Sequence, residues 1–317
     1  MRIAFMGTPD FSVPCLRALI ERGRDVVGVF CQPDKPVGRK QILTPPPVKE
    51  LALQYGIRVL QPTTLRNGAG LALLKELEPE LVIVVAYGKI LPEDFLSYPK
   101  YGCVNVHASL LPKYRGASPI HWAILNGDSE TGVTTMQMDA GMDTGDILRV
   151  EKLPIDMNDT AEDLFEKLSV LGAETMLGTI EDIENGTAHP VPQDHSKATT
   201  VGLLTKELGN VDWTKPALQV HNQIRGLYCW PGAYTFLDGT MLKLHKASLT
   251  SVKIDKAPGT VVQAKDRLLV CCGDGLCVEL KEIQLVGKKR MAAADFLRGH
   301  AIPVGTVLTA GEKEVNS

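Results

Sequence analysis

Through the first half of the chain, apolar residues fall into two alternating patterns. Short runs of apolar residues are followed by stretches with apolar positions three and four apart, the signatures of strand and helix in turn. Residues 2–6 predict a strand, 13–21 a helix stopped at Gly23, and 25–31 a second strand. A helix over 48–55 closing at Gly56, a short strand at 58–61 and a helix over 71–77 follow. The run 81–86 is wholly apolar, which predicts a strand buried on both faces, and 103–106 supplies another. Strands separated by helices in this way predict a doubly wound, mostly parallel α/β sheet, Rossmann-like in plan.

Ser118 and Pro119 predict a helix start, with Ser as the cap and Pro at the first helical position, and Gly127 ends that helix. Thr160 followed by Asp163 resembles a capping box with Asp in the usual place of Glu. It opens a long helix to 183, with Leu164, Leu168 and Leu171 on one face and Gly186 as its stop. Residues 189–198, with Pro190 and Pro192, have no periodicity and predict a connection between domains. From Pro231 the pattern turns to short β-rich runs at 233–237, 242–247, 260–264, 268–272 and 276–285, with Gly273-Asp274-Gly275 as a hairpin turn. A small OB-like β-barrel is the economical expectation. The predicted division is a catalytic domain over 1–188, a linker over 189–206 and a barrel domain over 207–317.

With 317 residues, 44% hydrophobic and 22% charged, the chain is long enough for two cores and falls in the range of soluble globular proteins. No signal-peptide core or Arg-rich leader is seen near Met1, and the longest apolar run is far too short to cross a bilayer. Seven cysteines, with only Cys271, Cys272 and Cys277 clustered, fit neither a zinc knuckle nor a disulfide framework. Small buried thiols in a reducing, cytoplasmic compartment are expected, with no metal. The net charge of −3 hides an asymmetry: residues 1–205 hold 19 Lys and Arg against 26 Asp and Glu, a balance of −7, and residues 206–317 hold 15 against 11, a balance of +4. A basic second domain favours a phosphate backbone as partner, although such an imbalance also arises on an ordinary solvated face.

Two segments carry candidate chemistry. In Asn105-Val106-His107-Ala108-Ser109-Leu110-Leu111-Pro112, Asn105 and His107 stand where a strand runs into a loop, and alternation puts them on one face. An amide donor and an imidazole aimed at one point suit stabilisation of an oxyanion, and the imidazole can also move a proton. The competing interpretation is purely structural, with Asn105 satisfying loop backbone and His107 hydrogen-bonded in the core. In Met138-Asp139-Ala140-Gly141-Met142-Asp143-Thr144-Gly145-Asp146, two glycines bracket Asp143 in a tight loop after the strand-like run 133–138. A carboxylate fixed there could orient a neighbouring imidazole and favour its charged form. Simple Asx turns would explain the same residues, while the acidic spacing does not match an EF-hand.

Asn105-x-His107, Ser109-Leu110-Leu111-Pro112, Tyr114-Arg115-Gly116 and Met138-Asp139-x-Gly141-Met142-Asp143-Thr144-Gly145 together closely resemble the signature of folate-dependent formyltransferases. Gly7-Thr8-Pro9-Asp10-Phe11, Gln32-Pro33-Asp34-Lys35, Gly38-Arg39-Lys40 and Val85-Ala86-Tyr87-Gly88 extend the resemblance over nearly the whole chain. Ser118 stands where family members often carry Ala. The resemblance implies 10-formyltetrahydrofolate as formyl donor and no metal. It implies Asn105, His107 and Asp143 as the catalytic set, with Ser109, Leu110, Leu111 and Pro112 in the folate pocket. It also implies an initiator methionyl-tRNA as acceptor; a monomer is expected, although the sequence itself does not give the oligomeric state.

The loop 32–49 sets Lys35, Arg39, Lys40 and Lys49 against Asp34 alone, a composition that suits the acceptor end of a tRNA. Resemblance also points to Arg39 there, with Lys40 beside it, although an exposed solubilising loop would look alike. Lys288-Lys289-Arg290 is a second basic cluster. An NAD-dependent enzyme is excluded, because Gly7-Thr8-Pro9-Asp10 lacks the Gly-x-Gly-x-x-Gly fingerprint. Other acceptors for the same centre, glycinamide ribonucleotide or an amino sugar, remain as rivals, as does a non-catalytic RNA-binding protein.

Overall fold

The computed structural model describes residues 1–38 and 40–311, so Arg39, singled out above, lies outside the described residues. Two compact units are present. Met1–Pro119, Glu130–Pro154 and Phe165–Val201 make the first, and Ile120–Ser129, Ile155–Leu164 and residues 202–311 make the second.

The first unit is built on a seven-stranded sheet. Its strands lie in the order Ile147–Pro154, Glu130–Gln137, Cys103–His107, Leu81–Val85, Arg2–Gly7, Asp25–Phe30 and Val59–Leu60. The last five pair in parallel and the first two add antiparallel, so the expected mostly parallel sheet is present. Ile3 to Met6 and Leu81 to Val85 are buried at consecutive positions, as strands covered on both faces must be. From Arg2–Gly7 the chain builds outward to one side through Asp25–Phe30, then returns to the other side through Leu81–Val85. Such a reversal opens a crevice at the carboxyl ends of the strands, where Gly7 lies beside Val85 and Val84 beside Asn105.

The strand Ile147–Pro154 was not visible in the hydrophobic pattern. It is an outer strand, and Arg149, Glu151 and Lys152 give it the polar look of an edge. The basic loop also differs from the expectation of irregular chain: Lys35–Val37 and Ile42–Thr44 form a short antiparallel hairpin. The capping box is real. The Thr160 N–H donates to Asp163 Oδ2 at 2.9 Å, the Asp163 N–H donates back to Thr160 Oγ1 at 3.2 Å, and the helix Ala161–Asn185 follows. Ser118, expected as an ordinary cap for Pro119–Leu125, instead has left-handed backbone with φ of 60°, not the extended form usual at that position.

In the second unit, five strands run in the order Ala233–Leu237, Thr240–Lys253, Leu276–Leu285, Leu268–Cys271 and Val261–Ala264, all antiparallel, with Met291–Ala292 added to Leu276–Leu285. The residues 305–309 hydrogen-bond to both edges. Phe236 and Thr309 exchange N–H···O bonds on one edge, and Leu308 donates to Gly259 and Val261 to Thr306 on the other. The sheet packs on the helix Ala217–Gly226, whose Val220 and Ile224 join Leu242, Leu244, Val270 and Ile283 in the core. Cys271, Cys272 and Cys277 are buried thiols, as the sequence leads one to expect.

Candidate active site

Asn105 and His107 lie on Cys103–His107, two residues apart and therefore on one face. His107 is 7% exposed, and its Nε2 lies 2.9 Å from the Tyr114 carbonyl oxygen. A carbonyl only accepts, so Nε2 carries a proton, and the other ring nitrogen is the one open to chemistry. That nitrogen, Nδ1, stands 3.8 Å from Asp143 Oδ2. The distance exceeds a hydrogen bond, so the pair acts as neighbouring charges once His107 is protonated. Among the described residues the half-buried Asn105 amide makes no hydrogen bond, which leaves its donors available.

The loop after Glu130–Gln137 holds two very different aspartates. Asp139 Oδ1 accepts from the Gly141 N–H at 3.0 Å and from Thr144 Oγ1 at 2.7 Å, the Asx-turn role foreseen as the bland alternative. Asp143 does something else. Its Oδ2 accepts the Gly116 N–H at 2.8 Å, from a segment 27 residues earlier, and it has left-handed backbone with φ of 53°. Gly145 is required beside it, because a Cβ there would sit 1.7 Å from the Gln137 carbonyl oxygen. The carboxylate is thus fixed by backbone and aimed at His107.

Ser109 to Pro112 are shaped from below by Thr134, which is wholly buried. Its hydroxyl donates to the Ser109 carbonyl at 2.7 Å and accepts from the Leu111 N–H at 3.1 Å, while Ser109 Oγ donates to the Lys113 carbonyl at 2.7 Å. Ser109 and Leu111 are buried, and Leu110 and Pro112 are partly exposed. The motif therefore presents a fixed, mixed polar and apolar rim directly after His107.

The basic residues separate into engaged and open groups. Lys49 Nζ lies 2.8 Å from both Asp34 oxygens and from Gln61 Oε1, so it clamps the base of the hairpin. The Gln61 hydrogen bond, followed by Lys49, holds the Asp34 carboxyl below the usual carboxylate range. Lys35 and Lys40 are exposed on the hairpin itself. Arg290 is engaged by Glu282 and Tyr228, whereas Lys288 and Lys289 are exposed.

Several residues that shape the site escaped the sequence reading. Gln193 donates to the carbonyls of Asp143 at 2.9 Å and Gly145 at 2.7 Å, and Arg115 donates to Gln193 Oε1. Thr199 Oγ1 accepts from the Tyr114 N–H at 2.8 Å, and Thr200–Val201 pairs with Arg115–Gly116. The stretch read as connecting chain therefore packs against the segments that carry Asp143 and Tyr114 to Gly116. Its sequence carried no signal beyond the two prolines. Among the described residues no three His, Cys, Asp or Glu side chains group as a metal site, and no helix is long and apolar enough to cross a membrane.

Comparison with known proteins places this geometry. The formyl transferase family model matches residues 1–180, and the formyl transferase C-terminal domain model matches residues 203–301. A methionyl-tRNA formyltransferase from Caldanaerobacter subterraneus subsp. tengcongensis is 51% identical over 97% of this chain and 100% of its own length. One from Alkaliphilus oremlandii is 47% identical over 97% and 99%. Among solved structures, an N-formyltransferase from Helicobacter canadensis in complex with folinic acid and dTDP-3-aminofucose superposes with a TM-score of 0.69 at 22% identity, over 88% of this chain and 98% of that one. The methionyl-tRNA formyltransferase from Clostridium thermocellum superposes with a TM-score of 0.57 at 20% identity, over 80% and 95%. With both family models matched in order and an imidazole and a carboxylate brought together at the strand ends, the chain belongs to the formyl transferase family and is a formyltransferase.

Proposed function

We propose that the chain transfers the formyl group of 10-formyltetrahydrofolate to the α-amine of an initiator methionyl-tRNA, for the start of translation in the cytoplasm. The observation that carries the chemistry is the convergence of His107 Nδ1 on a carboxylate that backbone already holds. The acceptor rests on the relatives at 51% and 47% identity, matched along their whole length.

In this reading the amine nitrogen attacks the formyl carbon, the bond from that carbon to folate N10 breaks, and a proton passes from the amine to the departing nitrogen. The Asn105 amide and protonated His107, through Nδ1–H, face the oxygen on which negative charge develops. Asp143 orients that imidazole and takes part in moving the proton. Ser109, Leu110, Leu111 and Pro112 bound the folate, a role that suits a segment pinned by Thr134 and carrying both apolar and polar faces. Arg39 and Lys40 contact acceptor-end phosphates, and the domain from 207 onward, joined through 189–206 to the catalytic domain of 1–188, holds the tRNA as a monomer. The basic balance of +4 beyond residue 205 supports that division of labour.

The deciding experiment is formyl transfer from 10-formyltetrahydrofolate to methionyl-tRNA, beside uncharged tRNA, mischarged tRNA, glycinamide ribonucleotide and a dTDP-linked amino sugar. Preference for either small acceptor would overturn the tRNA assignment and keep the reaction. No transfer to any of them would remove the reaction itself. Arg39→Ala is expected to weaken use of the tRNA and flatten its salt dependence, with folate binding unchanged.

A further inference from the structure

The Asp143 loop is held in a shape it would not keep unaided. Asp143 has positive φ without being glycine, a conformation uncommon for residues with a side chain and held here by its surroundings. Two backbone carbonyls of the loop, those of Asp143 and Gly145, accept hydrogen bonds from outside it. Both are met by one group. Gln193, 5% exposed, spends the two N–H bonds of its side-chain amide on them, at 2.9 and 2.7 Å.

An amide can be turned end for end, and only one orientation supplies donors to carbonyls. Arg115 settles which. Its Nε and Nη2 lie 3.1 and 2.7 Å from Gln193 Oε1, and a guanidinium has donors only, so the oxygen must face Arg115 and the NH2 must face the loop. Arg115 is itself buried, and its remaining described partner is His195 Nδ1 at 3.1 Å. The next residue along, Gly116, gives its N–H to Asp143 Oδ2. Arg115 and Gly116 therefore act on the two ends of one aspartate, the first through Gln193 on its backbone and the second directly on its carboxylate.

We propose that Gln193, oriented by Arg115, is the positioning residue that keeps Asp143 aimed at His107. It acts through the loop it holds. Without its amide two carbonyls behind the loop lose their donors, the strained Asp143 backbone relaxes, and the carboxylate leaves Gly116. A displacement of about 1 Å at such a centre costs on the order of 100-fold in rate. This inference rests on the reading of Asp143 as a participant in formyl transfer.

The test separates the two ideas. Gln193→Met keeps length and removes the hydrogen bonds. In the protein without substrates, exchange of the Gly116 amide proton is expected to speed up about 10-fold or more in this variant, and unchanged exchange overturns the positioning role whatever the reaction proves to be. In single-turnover formyl transfer, Gln193→Met is expected to lose about 10- to 100-fold with little change in KM for either substrate. In an Asp143→Ala background the same substitution is expected to cost less than about 2-fold, because its route of action is gone. An equal loss in both backgrounds overturns the proposal. If Gln193→Met does not fold, Gln193→Glu keeps the contact to Arg115 and sets a carboxylate against the two carbonyls. A folded Gln193→Glu with wild-type rate and wild-type Gly116 exchange overturns it too. Failure of Asp143→Ala to slow transfer, with the Gly116 effect intact, would instead remove the catalytic reading and leave the positioning.

Discussion

His107 Nδ1 stands 3.8 Å from Asp143 Oδ2, and the same oxygen is bound to the Gly116 N–H at 2.8 Å. The carboxylate is thus anchored by backbone and makes no hydrogen bond to the imidazole, which leaves Nδ1 without a hydrogen-bond partner among the described residues. Asp143→Asn keeps the acceptor for Gly116 and deletes the charge. We expect single-turnover formyl transfer to fall about 10²- to 10⁴-fold, and Asn105→Ala to cost about 10²- to 10³-fold. Near wild-type rates in either variant would remove that residue from the reaction.

The clamp between Asp34 and Lys49 closes the base of the exposed hairpin, since one residue immediately precedes it and the other lies in the helix Pro47–Gln54 beyond it. Asp34→Asn is expected to raise KM for methionyl-tRNA by about 2- to 5-fold, in keeping with a partly exposed ion pair, and to leave KM for the folate alone. The Asp34 carboxyl is held low, so the clamp's contribution is present above the ordinary carboxylate range and is lost only as pH falls through the depressed value. Equal effects on both KM values would mean the hairpin does not discriminate between the substrates.

Thr134→Val exchanges a hydroxyl for a methyl at nearly constant volume. It strips the buried Leu111 N–H and Ser109 carbonyl of their shared partner. A loss of about 1 to 3 kcal/mol in urea unfolding is expected, together with weaker folate binding by calorimetry. Lost stability with unchanged folate affinity would remove 109–112 from the pocket.

His221 is 1% exposed, with Nδ1 buried and unpartnered, on the helix Ala217–Gly226. Burial, followed by the nearby Arg225 charge, lowers its pKa from 6.5 to about 4. A base depressed in this way binds its proton more tightly when unfolded, so its contribution is complete above pH 6.5 and fades as pH falls toward 4. From the two values we expect wild type to lose about 2 kcal/mol between pH 7.5 and pH 5 through this group, and the slope to flatten in His221→Gln. Parallel pH profiles for the two proteins would contradict the assignment.

What the sequence made legible was whatever local spacing encodes. Alternation placed Asn105 and His107 on one face, the paired Thr160 and Asp163 announced the long helix, and the apolar run 81–86 announced a doubly covered strand. The rest depends on contacts between distant parts of the chain. Gln193 lies 78 residues from Arg115 and 50 from Asp143, in a stretch with no periodicity. The Gly116 N–H and the Tyr114 carbonyl act through backbone, which no side-chain pattern reports. The hairpin Lys35–Val37 with Ile42–Thr44 has three residues per strand, too few to establish a period, and Pro36 hides one of them. The helix Ala217–Gly226 buries His221, Asn222 and Arg225 among its apolar residues, which blurs the stripe that would have marked it.

One short segment, 305–309, satisfies the unpaired backbone of two edge strands at once. An exposed strand edge is a template on which another chain can add itself. Here one segment bonds to both templates, with the Val211 N–H also donating to the Tyr234 carbonyl on the first edge, so anything that peels 305–309 away frees backbone on both sides for recruitment of another chain. Much of the protection against self-association in the second unit therefore rests on five residues.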